Sequence, residues 1–186
     1  VVIVEFDQNV GGMGIGIVIE EELYVGHNHA AGEVHAPIAN MEGILPFIRH
    51  DLSKSEILKK YDLNPEKITT EILIDAAKKD DPLAIKVFER LGNQIGKNIY
   101  GHIALLNPEK LIIGGNISDL GEILIDPIRK IIEIETLPFI HQKLEIKTAI
   151  HGPGSVAMGA ASIILYEFFK VPLDTRLQKK KEFTIE

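Results

Sequence analysis

The chain contains no cysteine and no tryptophan among its 186 residues. The absence of cysteine excludes disulfides, thiolate zinc sites and cysteine nucleophiles. No apolar run approaches the roughly 20 residues of a membrane-spanning helix, and no signal-peptide pattern opens the sequence. Basic residues are also few, since 20 Lys and Arg stand against 27 Asp and Glu, with a formal net charge of −7. Nucleic-acid binding needs clustered basic residues, so this segment is not expected to contact DNA itself.

The composition is that of a globular protein, with 45% hydrophobic and 25% charged residues. It predicts one sizeable domain, or one lobe of a two-lobed protein. We expect a lobe at residues 1–169 and a solvated tail at 170–186, which holds the basic cluster at 179–181. Because Val1 enters directly on an apolar run, we expect the chain to be a fragment of a longer protein. Many Ile, Lys and Glu residues without Cys or Trp fit a thermophilic source.

Hydrophobic periodicity predicts strands first, then helices, then alternating strands and helices. The predicted strands are 1–6, 15–19, 23–25, 111–113 and 144–150, with a turn at 20–22. The predicted helices are one capped at Ser53, then 70–79, 82–106, 120–134 and 156–169. This order predicts an α/β fold with a mixed sheet and flanking helices.

The longest predicted helix has the clearest start and an unusual surface. Asp81 followed by Pro82 is a strong signal for an N-cap and first helical residue. Ala84, Gly92 and Gly96 form a row of small residues beside its apolar stripe. This row predicts close approach of another backbone, in the core or between subunits.

Two glycine-rich stretches are candidates for ligand contact. Gly12, Gly14 and Gly16 could aim backbone N–H groups at phosphate, or could only form a hairpin bend. A dinucleotide fingerprint is excluded because a strand, not a helix, follows. Gly114 and Gly115 end a buried strand, where crevices often bind ligands, although a tight turn explains them equally well.

Three histidines and two aspartates also invite interpretation. His27, His29 and His35 could suggest zinc, but they lack fixed spacing and cysteine partners. Surface or sugar-contacting roles are favoured for them. Asp7 and Asp51 could be general bases, but turn and capping roles are favoured because no second motif locates a substrate.

Three stretches of the chain together resemble the second half of ROK proteins, in order and spacing. They are "GGMGIGIVIEEELYVGHNHAAGEV", "DDPLAIKVFERLGNQIGKNIYGHIALLNPEKLIIGG" and "SVAMGAASIIL". ROK proteins include bacterial sugar kinases and sugar-responsive transcriptional repressors. The resemblance implies a ribonuclease-H-like lobe of the actin/hexokinase type.

The resemblance also implies residue roles. Gly12, Gly14 and Gly16 match the second phosphate loop, and Gly114 and Gly115 match the glycines on the adenosine side. 

Glu33 matches the glutamate that hydrogen-bonds sugar hydroxyls, with His35 near it. The sequence departs from the kinase pattern in three places. Gly11 replaces a threonine, His35 stands one residue early, and the cysteine-rich zinc segment is absent, so we expect no metal site. The resemblance puts the catalytic aspartate and the first phosphate loop before Val1. This chain alone is therefore not expected to phosphorylate a sugar.

These departures favour a sugar-responsive transcriptional regulator, which needs binding without transfer. Its partners would be a sugar effector, a second copy in a homodimer, and DNA only through a missing N-terminal domain. The alternative is a sugar kinase lobe with a divergent sugar site, which alone would need ATP and Mg²⁺. A third alternative is a dimerisation lobe without a ligand. In each case we expect a cytoplasmic protein.

Overall fold

The computed structural model describes residues 1–7, 12–34, 69–150 and 154–168. The strands are β1 (Val2–Asp7), β2 (Gly12–Ile19), β3 (Glu22–Leu23), β4 (Lys110–Gly115) and β5 (Glu145–Thr148). The helices are α1 (Thr70–Ala77), α2 (Pro82–Leu106), α3 (Glu122–Glu135), α4 (Pro138–His141) and α5 (Ser155–Phe168), with a 3₁₀ turn at Asn116–Leu120. The helix predicted at Ser53 lies outside the described residues.

The strands form one sheet in the order β3-β2-β1-β4-β5. Strands β1, β2 and β3 form an antiparallel meander, whereas β4 runs parallel to β1 and β5 runs parallel to β4. Glu20 and Glu21 join β2 to β3 with φ of 51° and 69°. Two positive φ angles are what a type I′ hairpin turn requires. The predicted meander and mixed sheet are confirmed.

One face of the sheet is buried against the helices. Alternate residues of β1, β2 and β4 contribute its apolar side chains, namely Val2, Val4, Met13, Ile15, Leu111 and Ile113. They form a single cluster with the apolar stripes of α2 and α3, which include Leu91, Ile95, Ile99, Ile103, Leu124, Ile128 and Ile132. Each such side chain contributes about 1.5–3 kcal/mol on burial. This face is therefore the core.

Helix α2 begins and ends at residues that satisfy its free backbone groups. The Asp81 carboxylate accepts hydrogen bonds from the N–H groups of Leu83 and Ala84, at 3.0 and 2.9 Å. Asn107 ends the helix in the left-handed conformation, with φ of 42°. The predicted start at Asp81 and Pro82 is confirmed, and so is the end at Leu106.

Helices α2 and α3 pack closely because α2 carries glycine where they meet. A Cβ atom at Gly92 would lie 2.6 Å from Pro127 Cγ and 2.9 Å from the Leu124 carbonyl oxygen. A Cβ atom at Gly96 would lie 2.8 Å from Ile131 Cβ. Gly92 and Gly96 of this row thus pack in the core, as predicted, and the expected role of the row in subunit packing stays a prediction.

Charged side chains occupy the sheet edge at β5. Lys147 forms an ion pair with Glu145 on the same strand, and the Nζ atom of Lys110 on β4 lies 4.0 Å from the Glu145 Oε2 atom. The hydrogen bond from Lys147 lowers the pKa of the Glu145 carboxyl, and the positive charges of Lys147 and Lys110 act in the same direction. Charge on an edge strand discourages pairing with another sheet.

Several element boundaries differ from the predictions. The 3₁₀ turn at Asn116–Leu120 precedes α3, which therefore begins at Glu122 instead of residue 120. Helix α4 was not predicted, because its four residues are too few to produce a helical period. Strands β3 and β5 are shorter than predicted, since pairing stops before the apolar residues do.

The chain divides into two compact units, Val1–Pro153 and Gly154–Glu186. The described part of the second unit is α5, in which the Ser162 hydroxyl donates to the Met158 carbonyl at 2.7 Å. The lobe and tail boundaries at residues 169 and 170 stay predictions. Among the described helices, none combines the length and apolar character needed to cross a membrane.

Replacing Gly96 by alanine is expected to lower the free energy of unfolding by about 1–3 kcal/mol, because the added methyl group overlaps Ile131. The measurement is urea denaturation. Gly101→Ala is the matched control on the same helix, since a Cβ atom there meets nothing within 4 Å. The control should be neutral or stabilising by up to about 1 kcal/mol. Equal stability of both variants would contradict the close packing of α2 and α3.

Candidate functional site

The three glycines of β2 lie within the strand and share one face of the sheet. Gly16 pairs with Ile3, Gly14 with Glu5, and Gly12 with Asp7. This face is opposite the core, since the residues between the glycines, Met13 and Ile15, are buried. Among the described residues, no atom would lie within 4 Å of a Cβ atom at Gly14. The glycines therefore do not form a bend, and Gly14 borders open space.

The two glycines that end β4 lie near the same end of the sheet. Gly114 pairs with Glu5 and Gly115 with Phe6 in the parallel register of β1 and β4. Gly115 has φ of 86° and ψ of −175°, a region that only glycine readily adopts, and the 3₁₀ turn starts immediately after it. The carboxyl ends of parallel strands are a common position for ligand sites. The structure thus places both glycine groups at the same end of the sheet, on either side of β1.

Glu33 reaches this end of the sheet through the loop that follows β3. The Ile15 N–H donates to the Gly32 carbonyl at 3.1 Å, and Glu33 forms an antiparallel bridge with Gly14. In a pair of this type the two α carbons lie about 4.5 Å apart. The Glu33 side chain is exposed. A carboxylate therefore stands next to the open space at Gly14.

These pairings give one row across the sheet, which we name the site row: Glu33, Gly14, Glu5 and Gly114. Acidic residues and glycines alternate along it. The surrounding segment is acidic as well, because the sequence contains no Lys or Arg before Arg49. A ligand with hydroxyl donors suits the exposed Glu33 carboxylate, because an ionised carboxylate is a hydrogen-bond acceptor and not a donor.

Of the three candidate histidines, the two that the structure describes do not form part of a metal site. His27 and His29 are exposed, and His29 has φ of 59°. Within the described ranges, no three His, Asp or Glu side chains are grouped so that they could hold a metal ion. His35 and Asp51 lie outside the described residues. Asp7 ends β1, where it pairs with Gly12.

Sequence reasoning missed the structural role of Gly32. Its φ is 86°, and a Cβ atom there would lie 1.6 Å from the Ile15 carbonyl oxygen. Only glycine allows the backbone at position 32 to lie this close to Ile15, and this requirement does not depend on the identity of residue 33. The sequence signal was the Gly32–Glu33 pair itself, but a contact with a strand seventeen residues earlier cannot be read from local pattern.

Comparison with known proteins identifies the family of this chain. The profile of the ROK family matches residues 10–167. The chain belongs to the ROK family. The predicted membership and the predicted actin/hexokinase-like fold are both confirmed.

ROK relatives of two kinds are similar to the chain. A glucokinase of Thermotoga maritima is 29% identical over 174 residues, which cover 82% of this chain and 55% of that protein. An N-acetylglucosamine repressor of Escherichia coli is 27% identical over 162 residues, covering 75% and 40%. A xylose repressor of Caldicellulosiruptor bescii is 22% identical over 181 residues, covering 87% and 45%. The chain thus spans about half the length of these relatives.

Solved ROK structures give the same picture. A ROK transcriptional regulator, a homologue of the E. coli MLC protein, superposes with a TM-score of 0.66 at 26% identity, covering 79% of this chain and 41% of that one. A ROK glucokinase from Streptomyces griseus, in complex with glucose and AMPPNP, has a TM-score of 0.70 at 21% identity, covering 87% and 59%. Kinases and regulators share this fold, so the fold does not separate the two functions.

Gly14→Ala is expected to leave the ROK fold intact, with unfolding free energy unchanged or raised by up to about 1 kcal/mol. The methyl group enters open space beside Glu33 in the free protein. It would instead obstruct a ligand seated on the site row. The check combines urea denaturation with calorimetric titration of sugar. If Gly14→Ala binds sugar as well as the unchanged protein does, the ligand does not sit over Gly14.

Proposed function

We propose that this chain is the effector-sensing and oligomerisation lobe of a sugar-responsive ROK transcriptional regulator, which binds DNA through a region outside residues 1–186. The observation that carries the proposal is the bridge between Glu33 and Gly14, with an exposed carboxylate beside open space. An ionised carboxylate accepts hydrogen bonds from two sugar hydroxyls at once. Glu33, assisted by His35, contacts the sugar.

Sugar binding acts on DNA binding by shifting populations. A ligand shifts an equilibrium only as far as its affinities for the two states differ. The chain assembles as a homodimer, and the sugar favours the dimer arrangement that does not bind DNA. Two relatives named as an N-acetylglucosamine repressor and a xylose repressor support a regulator linked to a sugar.

The charge of the site supports sensing without phosphoryl transfer. ATP carries several negative charges, and the segment around the site row supplies Glu5, Asp7 and Glu33 but no Lys or Arg before Arg49. Phosphate at such a site needs a cation from elsewhere. Under this proposal the glycines of β2 and β4 shape the nucleotide side of the fold, and no ATP or Mg²⁺ is required.

A sugar kinase is the second candidate. Two observations favour it: the 29% identity to the Thermotoga maritima glucokinase, and the position of the β2 glycines at the same end of the sheet as Gly114 and Gly115. Glycines in these places let a nucleotide lie close to the backbone. ATP and Mg²⁺ would then be required, and the catalytic base would come from outside this chain.

Calorimetric titration of the full-length protein, including the region outside residues 1–186, with glucose, N-acetylglucosamine and xylose separates the two candidates. These sugars follow from the names of the relatives and of the glucokinase complex. We expect one of them to bind, with a Kd that Mg-ATP does not change and with no phosphorylated sugar by mass spectrometry. A phosphorylated product would establish the kinase instead. Binding of none of the sugars would contradict both candidates.

Glu33→Gln is expected to weaken sugar binding by about ten- to a hundredfold, since hydrogen bonds to a charged group contribute about 1.5–3 kcal/mol. Glutamine keeps the size of the side chain and loses only the charge and one acceptor. Glu22→Gln is the matched control, because Glu22 is an exposed glutamate at the other end of the β2–β3 hairpin. An unchanged Kd for Glu33→Gln would refute the assigned role.

A further inference from the structure

The loop at residues 24–34 is attached to β2 at two points. The Tyr24 N–H donates to the Ile17 carbonyl at 2.8 Å where the loop leaves the hairpin. The Ile15 N–H donates to the Gly32 carbonyl at 3.1 Å where the loop returns. The second attachment is the one that pairs Glu33 with Gly14.

Gly32 permits this second attachment by having no side chain. The Cβ position lies 1.6 Å from the Ile15 carbonyl oxygen, so any other residue would push the loop away from the strand. The Gly32 carbonyl also accepts from the Val34 N–H at 2.9 Å. One peptide group thus fixes both the strand contact and the turn at Glu33.

Between these two attachments, the loop has no other backbone hydrogen bond to the described part of β2, and the Ala31 N–H donates to the Val25 carbonyl within the loop itself. Residues 27–30 are exposed, and three positive φ angles, at Gly26, His29 and Gly32, shape the backbone. Val34 alone among its apolar side chains is packed against the core cluster. Segments with few buried contacts and exposed backbone hydrogen bonds open locally at low free energy, well below global unfolding.

We propose that Gly32 is the positioning residue for Glu33, and that its hydrogen bond with Ile15 is a latch that sugar binding closes. This inference rests on the proposed function, in which Glu33 binds the sugar. When the latch is open, Glu33 leaves Gly14 and the site row is incomplete. The sugar therefore binds the closed form and shifts the loop toward it.

Amide hydrogen exchange by NMR tests the latch in the unchanged chain. We take the open form not to bind sugar. Whichever of glucose, N-acetylglucosamine and xylose binds the chain should then slow amide exchange at Ile15 about tenfold when it is present at ten times its Kd. The amide of Thr136, which donates to Ile132 at the end of α3, is the control and should not change. A sugar that binds without slowing Ile15 exchange overturns the latch but leaves the proposed function standing.

A pair of asparagine variants tests the positioning role. Asparagine tolerates positive φ, so Gly26→Asn needs only a shift of a few tenths of an ångström at Ala31. Gly32→Asn keeps the clash with Ile15, because the obstacle there is space and not φ. We expect Gly26→Asn to keep both sugar affinity and Ile15 protection.

Gly32→Asn should lose sugar affinity at least tenfold and lose protection at Ile15. The amide of Ile99, in the buried middle of α2, should stay protected and so report an intact core. Sugar affinity that survives in Gly32→Asn overturns the positioning role. If no sugar binds the unchanged chain, the proposed function fails and the latch fails with it.

Discussion

Strand β1 pairs on both sides, antiparallel to β2 and parallel to β4, and the site and the core both depend on that double pairing. On one face its register aligns Val4 with Ile15 and Ile113, all buried. On the other face the same register puts Glu5 between Gly14 and Gly114. A slip of one residue would exchange the faces, turning the glycines toward the helices. The core therefore specifies the site.

Local chemistry was sufficient to predict much of this architecture. Asp81 and Pro82 identify the start of α2 because an N-cap and a proline act within one turn of helix. Gly92 and Gly96 predict a close backbone contact, because residues four apart lie on the same face of a helix and two glycines there leave room for another element. They did not identify α3 as the partner, because which element packs there is decided by tertiary structure.

The candidate site was predicted only in part, because its contacts join distant parts of the chain. The position of the β2 glycines beside β1, opposite Gly114, depends on the parallel pairing of β1 with β4, two strands that are far apart in the sequence. Local pattern carries no information on such a register. The bridge between Gly14 and Glu33 depends on Gly32, whose conformation is dictated by Ile15. The resemblance to ROK proteins supplied the residue roles, and the structure supplies their arrangement.

The fold constrains Gly32 and Glu33 to different degrees, although they are adjacent in the sequence. Position 32 must be glycine for the loop at residues 24–34 to contact β2, whether or not a ligand binds there. Glu33 is exposed, and no packing contact among the described residues requires its carboxylate. If the proposed sugar binding were lost, the fold would still require glycine at position 32, whereas position 33 would be free to vary. Glycine at position 32 therefore reports on the fold of this loop, and glutamate at position 33 reports on whether the proposed ligand is still bound.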